Sequence, residues 1–458
     1  MPRHPSARKA ASHAATLPDD RSLPGVSVRL YRPTRGGGSA SPQSNRRGVL
    51  RRLGPGLVTG AADDDPSGIA TYSQAGAQFG FNMLWTIALT YPLMVAVQLV
   101  SAQIGRVTGC GLAKNIAYVL PLSIVRLLVC LLFLANTINI GANLVMMGAA
   151  AQLVTGWNHH CFAVAFAMLS LGLQLWIPYD RYAGYLKWLT LVLFAYVAVV
   201  FVVDVDWAAA GRALVTPHFA PTSEVFTIVV AILGTTISPY LLFWQSSQEV
   251  EEIAQHPHAH PLKERPREAP AELVRIRWDT FVGMALSNLV AAAIMVSAAV
   301  TLHAQGQLDI GSAAQAAEAL RPIAGAFAFT LFSLGIIGTG LLSLPVLAGS
   351  AAYAIGEASG WKCGLQNKPQ EAVGFYGVIA AATLLGIGMG FSTLDPIEGL
   401  IWSAVINGIV AVPVLAAMTW VGSRHKQMGR FTLSRFTIAL GWLTTGVMAA
   451  AVLAMAVA

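Results

Sequence analysis

An apolar run spanning about residues 57–77 is interrupted in its middle by Asp63-Asp64-Asp65-Pro66-Ser67-Gly68. Placing one ionised carboxylate inside a bilayer costs several kcal/mol, so acids at that depth are rare and as a rule functional. Pro66 and Gly68 break the i to i−4 hydrogen-bond ladder and leave backbone carbonyls without partners. Carboxylates and bare carbonyls facing one gap are the ligand set of a hard cation. The competing reading is a helix that begins after Pro66, with the aspartates capping it in water. The apolar residues 57–62 would then need another home.

Composition decides the setting of that interruption. Of 458 residues, 55% are hydrophobic and only 11% charged, against about 25% charged in soluble chains. Forty-three glycines and long uncharged stretches point to an all-α polytopic membrane protein lodged in a lipid bilayer. The net charge of +7 is not a nucleic-acid signal, because its distribution follows the membrane topology. Cys110, Cys130, Cys161 and Cys363 form no CxxC pair, which argues against a disulfide framework or a zinc site. Residues 1–50 read as a disordered basic cytoplasmic tail without a signal-peptide core. Eleven Lys/Arg precede residue 53, opposed only by Asp19 and Asp20. Solvated topogenic charge is the plain reading of that tail, and an anionic-lipid contact the alternative.

After the tail, apolar segments predict eleven transmembrane helices, at about 57–77, 84–105, 122–150, 161–178, 184–203, 225–246, 278–302, 322–356, 371–390, 396–420 and 433–457. With the N-terminus inside, every Lys and Arg except Arg126, Arg212 and Arg321 falls on the inner side, as the positive-inside rule requires. The expectation is a cell or inner membrane, N-terminus cytoplasmic and C-terminus outside.

A second interruption lies in the sixth segment, at Gly234-Thr235-Thr236-Ile237-Ser238-Pro239-Tyr240. Broken helices at matching positions of two halves are the best sequence pointer to a transporter built from inverted repeats, with its site at the midplane. The transporter domain is therefore expected over residues 51–458. It divides into one repeat at about 54–203, a second at about 225–420 and an extra helix at 433–457. Proline kinks patched by Ser and Thr hydroxyls are the structural alternative.

These residues carry a resemblance. Gly54-Pro55-Gly56, Asp65-Pro66-Ser67-Gly68, Ala70-Thr71 and Gln74-Ala75-Gly76-Ala77 resemble the first helix of the natural resistance-associated macrophage protein (Nramp) family of divalent-metal transporters. The stretch 234–240 is similar to that family's Met-Pro-His segment. The resemblance extends over about residues 50–455. It implies eleven helices, a five-plus-five inverted repeat like that of amino-acid/sodium symporters, and alternating access around one metal site. By position it makes Asp65 and Ser238 metal ligands, with the carbonyls of Ala62 and Thr235 completing the set.

The departures bear on chemistry. The family motif is Asp-Pro-Gly-Asn, and here Ser67 replaces its Gly and Gly68 its metal-binding Asn. Ser238 stands in place of the metal-binding Met and Tyr240 in place of the His. The family's acidic pair on the third helix, implicated in proton movement, is matched by Asn136 and Asn139. Sulfur selects soft transition metals, whereas oxygen donors suit Mg²⁺, Mn²⁺ or Ca²⁺. A site that lost one ligand also suits an ion that keeps its waters, as Mg²⁺ does. The expectation is a secondary transporter of hard divalent cations, Mg²⁺ or Mn²⁺ first, not obligatorily proton-coupled, with no resident cofactor. Asp63 and Asp64 would add negative potential around the dication.

Further along, Gln245 and Glu249 would line an exit path, while Gln248, Glu251 and Glu252 trail the same helix end. His256, His258 and His260 read as a flexible polar loop rather than a metal-collecting strand. Asn288 and Asn407 read as interhelical glue or pathway lining, and Asp395 with Glu398 as an outer helix start. Three alternatives stay open: a proton-coupled Mn²⁺/Fe²⁺ importer, a same-fold symporter of a small organic solute, and an enzyme holding Mg²⁺ and a diphosphate. The acids at the gap repel an organic carboxylate, and the diphosphate chemistry lacks a second acidic cluster and basic phosphate ligands.

Overall fold

In the computed structural model the described residues are 59–60, 62–177, 191–217, 221–256, 258–389, 391 and 395–458. The basic tail at 1–50 and residues 184–190 of the fifth predicted helix lie outside them. Helix α1 (Pro66–Phe79) follows the helical residues 59–60 and 62–63 across a bend at Asp64. After it come α2 (Leu84–Thr108), α3 (Leu122–Thr155), α4 (His159–Trp176) and α5 (Phe194–Val202). The second half comprises α6 (Ser223–Thr236), α7 (Pro239–Gln255), α8 (Ala269–Thr301), α9 (Ala328–Ser359), α10 (Val373–Met389) and α11 (Pro396–Ser423), and α12 (Arg435–Val457) closes the chain. Among the described residues eight helical stretches are long and apolar enough to cross a bilayer, one of them counting α1 and α2 together and another α6 and α7.

Each expected helix has a counterpart, and the ends differ where charge permits. Helix α8 begins at Ala269, nine residues before the apolar run predicts, and α7 continues to Gln255. Both extensions are polar and hold each other. Arg275 reaches Glu249 at 2.6 Å, Glu252 at 3.3 Å and Glu272 at 3.0 Å, and Arg106 of α2 reaches Glu272 at 3.0 Å. Partnered charges let a helix run on past its apolar span. All four cysteines are free thiols, and burial raises the Cys363 thiol above its usual range.

The two breaks have one design. Asp65 and Ser238 both adopt extended backbone as N-caps, and Pro66 and Pro239 occupy the first position of the helix that follows. Proline has no N–H to offer an upstream carbonyl and its fixed φ suits a first turn, so each restarts a helix it could not continue. The broken pairs pack on continuous rods. The first helix lies along α8 and α11, α6 along α11 and α12, and α7 along α2 and α9. These contacts are close because glycine permits them. A Cβ on Gly60 would lie 2.4 Å from Gly283 O, one on Gly76 2.2 Å from Met295 O, and one on Gly234 2.0 Å from Ala404 O.

Candidate metal site

The N-cap geometry of α1 turns Asp65 inward, fully buried. Its Oδ1 accepts from Gly68 N at 2.9 Å and from Ser67 Oγ at 2.5 Å. Its Oδ2 faces α3, where the Nδ2 atoms of Asn139 and Asn143 stand at 3.4 and 3.3 Å. The second break joins the same group, because Ser67 Oγ lies 3.4 Å from Thr235 Oγ1. Ser403 of α11 donates to Asn139 Oδ1 at 3.3 Å, and Asn143 Nδ2 lies 3.4 Å from Ser343 Oγ of α9. One carboxylate thus accepts from α1 and α3, and hydroxyls of α6, α9 and α11 contact the groups that donate to it. No sulfur and no cationic side chain is among these hydrogen-bonded groups.

Ser238 sits at the second break but caps it locally, with Oγ 2.7 Å from both Gly234 O and Thr235 O. A hydroxyl that donates to a carbonyl keeps its lone pairs, so the oxygen stays available to a cation. Thr235 O loses its i+4 donor because Pro239 has no N–H, and accepts from that hydroxyl. Ala62 and Tyr240 are buried beside their respective breaks. A Cβ on Gly68 would lie 3.3 Å from Asp63 O and 3.4 Å from Thr235 Oγ1, so this residue faces the gap between the two breaks.

Several expected residues point elsewhere. The three aspartates do not converge, and among the described residues no group of three His, Cys, Asp or Glu side chains could hold a metal. Asp63 Oδ2 and Asp64 Oδ1 turn to Ser287 Oγ of α8, at 2.6 and 3.1 Å. The bend at Asp64 separates them from Asp65. Asn136 turns to α9, donating to Leu347 O and Ser350 Oγ at 2.8 Å. Gln245 accepts from Thr59 Oγ1 at 2.6 Å, and Glu249 is committed to Arg275. Glu251 meets Tyr353 and Leu365 N. His256 and His260 contact Glu252 O and Glu264. Asn288 bridges to α2 through Ile87 O at 3.0 Å, which fits interhelical glue.

Asn143, Ser343 and Ser403 escaped the reading of the sequence. The signal for Asn143 was its spacing of four from Asn139, which puts both amides on one face of α3. The Asn143 carbonyl oxygen is buried without a hydrogen-bond partner, and both polar atoms of the buried Asn407 are likewise unpartnered. Buried polar atoms of this kind are as a rule met by an ordered water or a bound ion.

A cavity of about 550 Å³ opens farther along α1, more than two turns past Asp65. It is bounded by the last turns of α1, the N-terminal ends of α6 and α11, and residues 309–311. Glu224, Asp309, Asp395 and Glu398 line it together with Gln74 and Gln78, and no Lys or Arg is among its lining residues. Asp395 caps α11 through Ile397 N at 2.9 Å, as its position before Pro396 predicts.

The chain is similar to known proteins along nearly its whole length. A family model described as "Natural resistance-associated macrophage protein-like" matches residues 56–458. The divalent metal cation transporter MntH of Klebsiella pneumoniae subsp. pneumoniae is 27% identical over 417 residues, covering 88% of this chain and 93% of that one. Among solved structures, an Eremococcus coleocola manganese transporter superposes with a TM-score of 0.69 at 18% identity, covering 91% of this chain and 88% of that one. MhsT in complex with L-phenylalanine superposes at 0.59 and 14% identity, covering 89% and 97%. The nucleobase-cation-symport-1 transporter Mhp1 in a closed conformation superposes at 0.53 and 13%, covering 88% and 90%. At these identities the superpositions establish the fold, an all-α inverted-repeat architecture with broken first and sixth helices.

Proposed function

The chain belongs to the natural resistance-associated macrophage protein-like family, and from that premise we propose that it moves divalent metal cations across a membrane by alternating access. The observation that carries this reading is Asp65, a buried carboxylate at a helix break with the unpartnered carbonyl oxygen of Asn143 beside it. A dication supplies what that oxygen and the carboxylate lack. The substrate ligands are then Asp65, Ser238 and the carbonyls of Ala62 and Thr235, with Gly68 leaving room for ion-bound water. The oxygen-only surroundings favour Mg²⁺ or Mn²⁺ over softer ions. The acidic cavity draws the dication in, because a cleft of one sign concentrates its counter-ion.

On this reading the N-terminus is cytoplasmic, repeats one and two cover about 54–203 and 225–420, and the last helix is an addition. Transport proceeds without obligatory proton exchange, since Tyr240, Asn136 and Asn139 occupy the positions of titratable groups. Metal-binding calorimetry on the detergent-solubilised chain, followed by flux into proteoliposomes across Mg²⁺, Mn²⁺, Ca²⁺, Fe²⁺ and Zn²⁺, tests it. Binding and flux for none of these ions would overturn the metal reading and leave the organic-solute symporter in its place.

A further inference from the structure

The segment between α11 and α12 carries Arg424, His425, Lys426 and Arg430, Arg435 opens α12, and no Asp or Glu occurs anywhere from residue 399 to 458. The fold adds Lys263 to this group from a distant loop. Its Nζ lies 3.4 Å from Lys426 O, and its Cε is 3.6 Å from where a Cβ on Gly429 would be. That approach is ordered by backbone bonds on both sides, Lys263 N to Val107 O at 3.3 Å and Leu433 N to Gly422 O at 3.2 Å.

Some cations at this end of the molecule are paired. Arg106, Arg265 and Arg275 each have a carboxylate within 3.5 Å. Among the described residues Lys263, Arg424, Lys426, Arg430 and Arg435 have no ion-pair partner. Two of them are nonetheless held in place. The Arg424 guanidinium lies 4.6 Å over the Trp420 ring and that of Arg430 lies 5.1 Å over Phe431. A guanidinium held over a ring keeps N–H groups for a bidentate oxyanion. Arg435 is the first residue of α12, where the positive end of the helix dipole adds to its charge. Such a grouping of like charges lowers its free energy by acquiring an anion.

The surroundings say which anion. The patch lies at the ends of two membrane helices, and apolar rings continue from it outward: Trp420 is 39% exposed, Phe436 73% and Trp442 47%. A phosphate at the height of Lys263 and Lys426 would have its acyl chains alongside these rings. We infer that Lys263, Arg424, Lys426, Arg430 and Arg435 form a binding surface for the phosphate headgroup of an anionic phospholipid. A polynucleotide phosphate would match the charge but not the adjoining apolar rings.

Native mass spectrometry of the full chain, released from detergent with phosphatidylglycerol or phosphatidylcholine, reads this directly. Wild type retains phosphatidylglycerol preferentially. The triple variant Lys263→Gln, Lys426→Gln, Arg430→Gln loses that retention by about a hundredfold, roughly fivefold for each juxtamembrane cation removed. A second triple variant, Arg265→Gln, Arg267→Gln, Lys368→Gln, removes the same charge at other positions and retains the lipid. Equal loss in the two variants would show that net charge alone is read and overturn the site. Displacement of the lipid by millimolar glycerophosphate would overturn the lipid as its occupant. Should the triple variant not fold, brominated lipids give a separate reading on wild type and Trp420→Phe. Quenching that depends on Trp420 is stronger with brominated phosphatidylglycerol than with brominated phosphatidylcholine, and equal quenching by both contradicts the inference.

Discussion

Asn143 Nδ2 stands 3.3 Å from Asp65 Oδ2, joining α3 to the broken first helix across 78 positions of sequence. Seven residues earlier, Asn136 has the same side chain and points to α9 instead. Replacing each by leucine separates a ligand-shell role from interhelical packing. Asn143→Leu is expected to raise the metal concentration needed for half-maximal flux by about tenfold, equivalent to about 1.4 kcal/mol. Asn136→Leu lowers thermal stability and leaves that concentration within about twofold. Reversal of the two outcomes in a flux titration would move the site along α3.

Asp65 is the charged anchor of the proposed ion. Asp65→Asn keeps the shape and abolishes flux while the protein still purifies as a monodisperse species. Because Asp63 and Asp64 face Ser287 rather than Asp65, their Asn variants weaken apparent affinity only severalfold. Full flux by Asp65→Asn would remove it from the site.

Oxygen ligands in place of sulfur set the selectivity. Ser238→Met is expected to shift relative affinity toward Mn²⁺, Cd²⁺ and Fe²⁺ over Mg²⁺. Gly68→Asn alone reduces binding, because its Cβ would approach Asp63 O to 3.3 Å. Combined with Ser238→Met it supplies the second missing ligand. An unchanged metal ranking in the double variant, read by competition calorimetry, rules out Ser238 as a ligand.

Coupling follows from which groups titrate. Tyr has an ordinary pKa near 10 and Asn does not ionise, so Tyr240, Asn136 and Asn139 cannot relay protons at neutral pH. Membrane potential suffices as a driving force, at roughly 4.6 kcal/mol per 100 mV for a dication. In liposomes holding a pH dye and clamped with valinomycin, metal enters without acidification. Proton entry proportional to metal entry, absent in Asp65→Asn, would show coupling.

Glu249 has no exposed side-chain surface and depends on Arg275 at 2.6 Å. Arg275→Met leaves a buried carboxylate uncompensated, a loss of about 3 kcal/mol. The double variant Arg275→Met, Glu249→Gln recovers most of it. Melting curves in detergent distinguish this from a role in conduction, because a conduction residue would lose flux without losing stability.

Much of the fold is legible because long apolar runs and prolines are local signals. Pro66 and Pro239 mark both breaks, and the residue before each is its cap, so Asp65 and Ser238 are readable by position. What escapes is direction. Nothing in Asp63-Asp64-Asp65 says that a bend between them sends two side chains to α8 and one inward. Asn136, Asn139 and Asn143 share one face, yet only the neighbouring helices decide that the first meets Leu347 O and the others meet Asp65. Glu249 reads as a pathway acid because its partner arrives 26 residues later, on a helix whose polar start carries no apolar signature. Partners brought together by tertiary packing are invisible to a one-dimensional reading.

The backbone contact of Gly60 with Gly283, and of Gly76 with Met295, bears on how such a molecule moves. Interlocked side chains would have to be unthreaded before the first helix could part from α8. Two smooth rods touching at glycine have nothing to unthread, and a hinge at Asp64 lies between the two points of touch. Among the described residues, Thr59 with Gln245 and Ser287 with the aspartate pair are polar contacts that restrain the segment before the hinge. A bulky side chain at residue 60 would act as a wedge, holding the rods apart and trapping one state of the cycle for study.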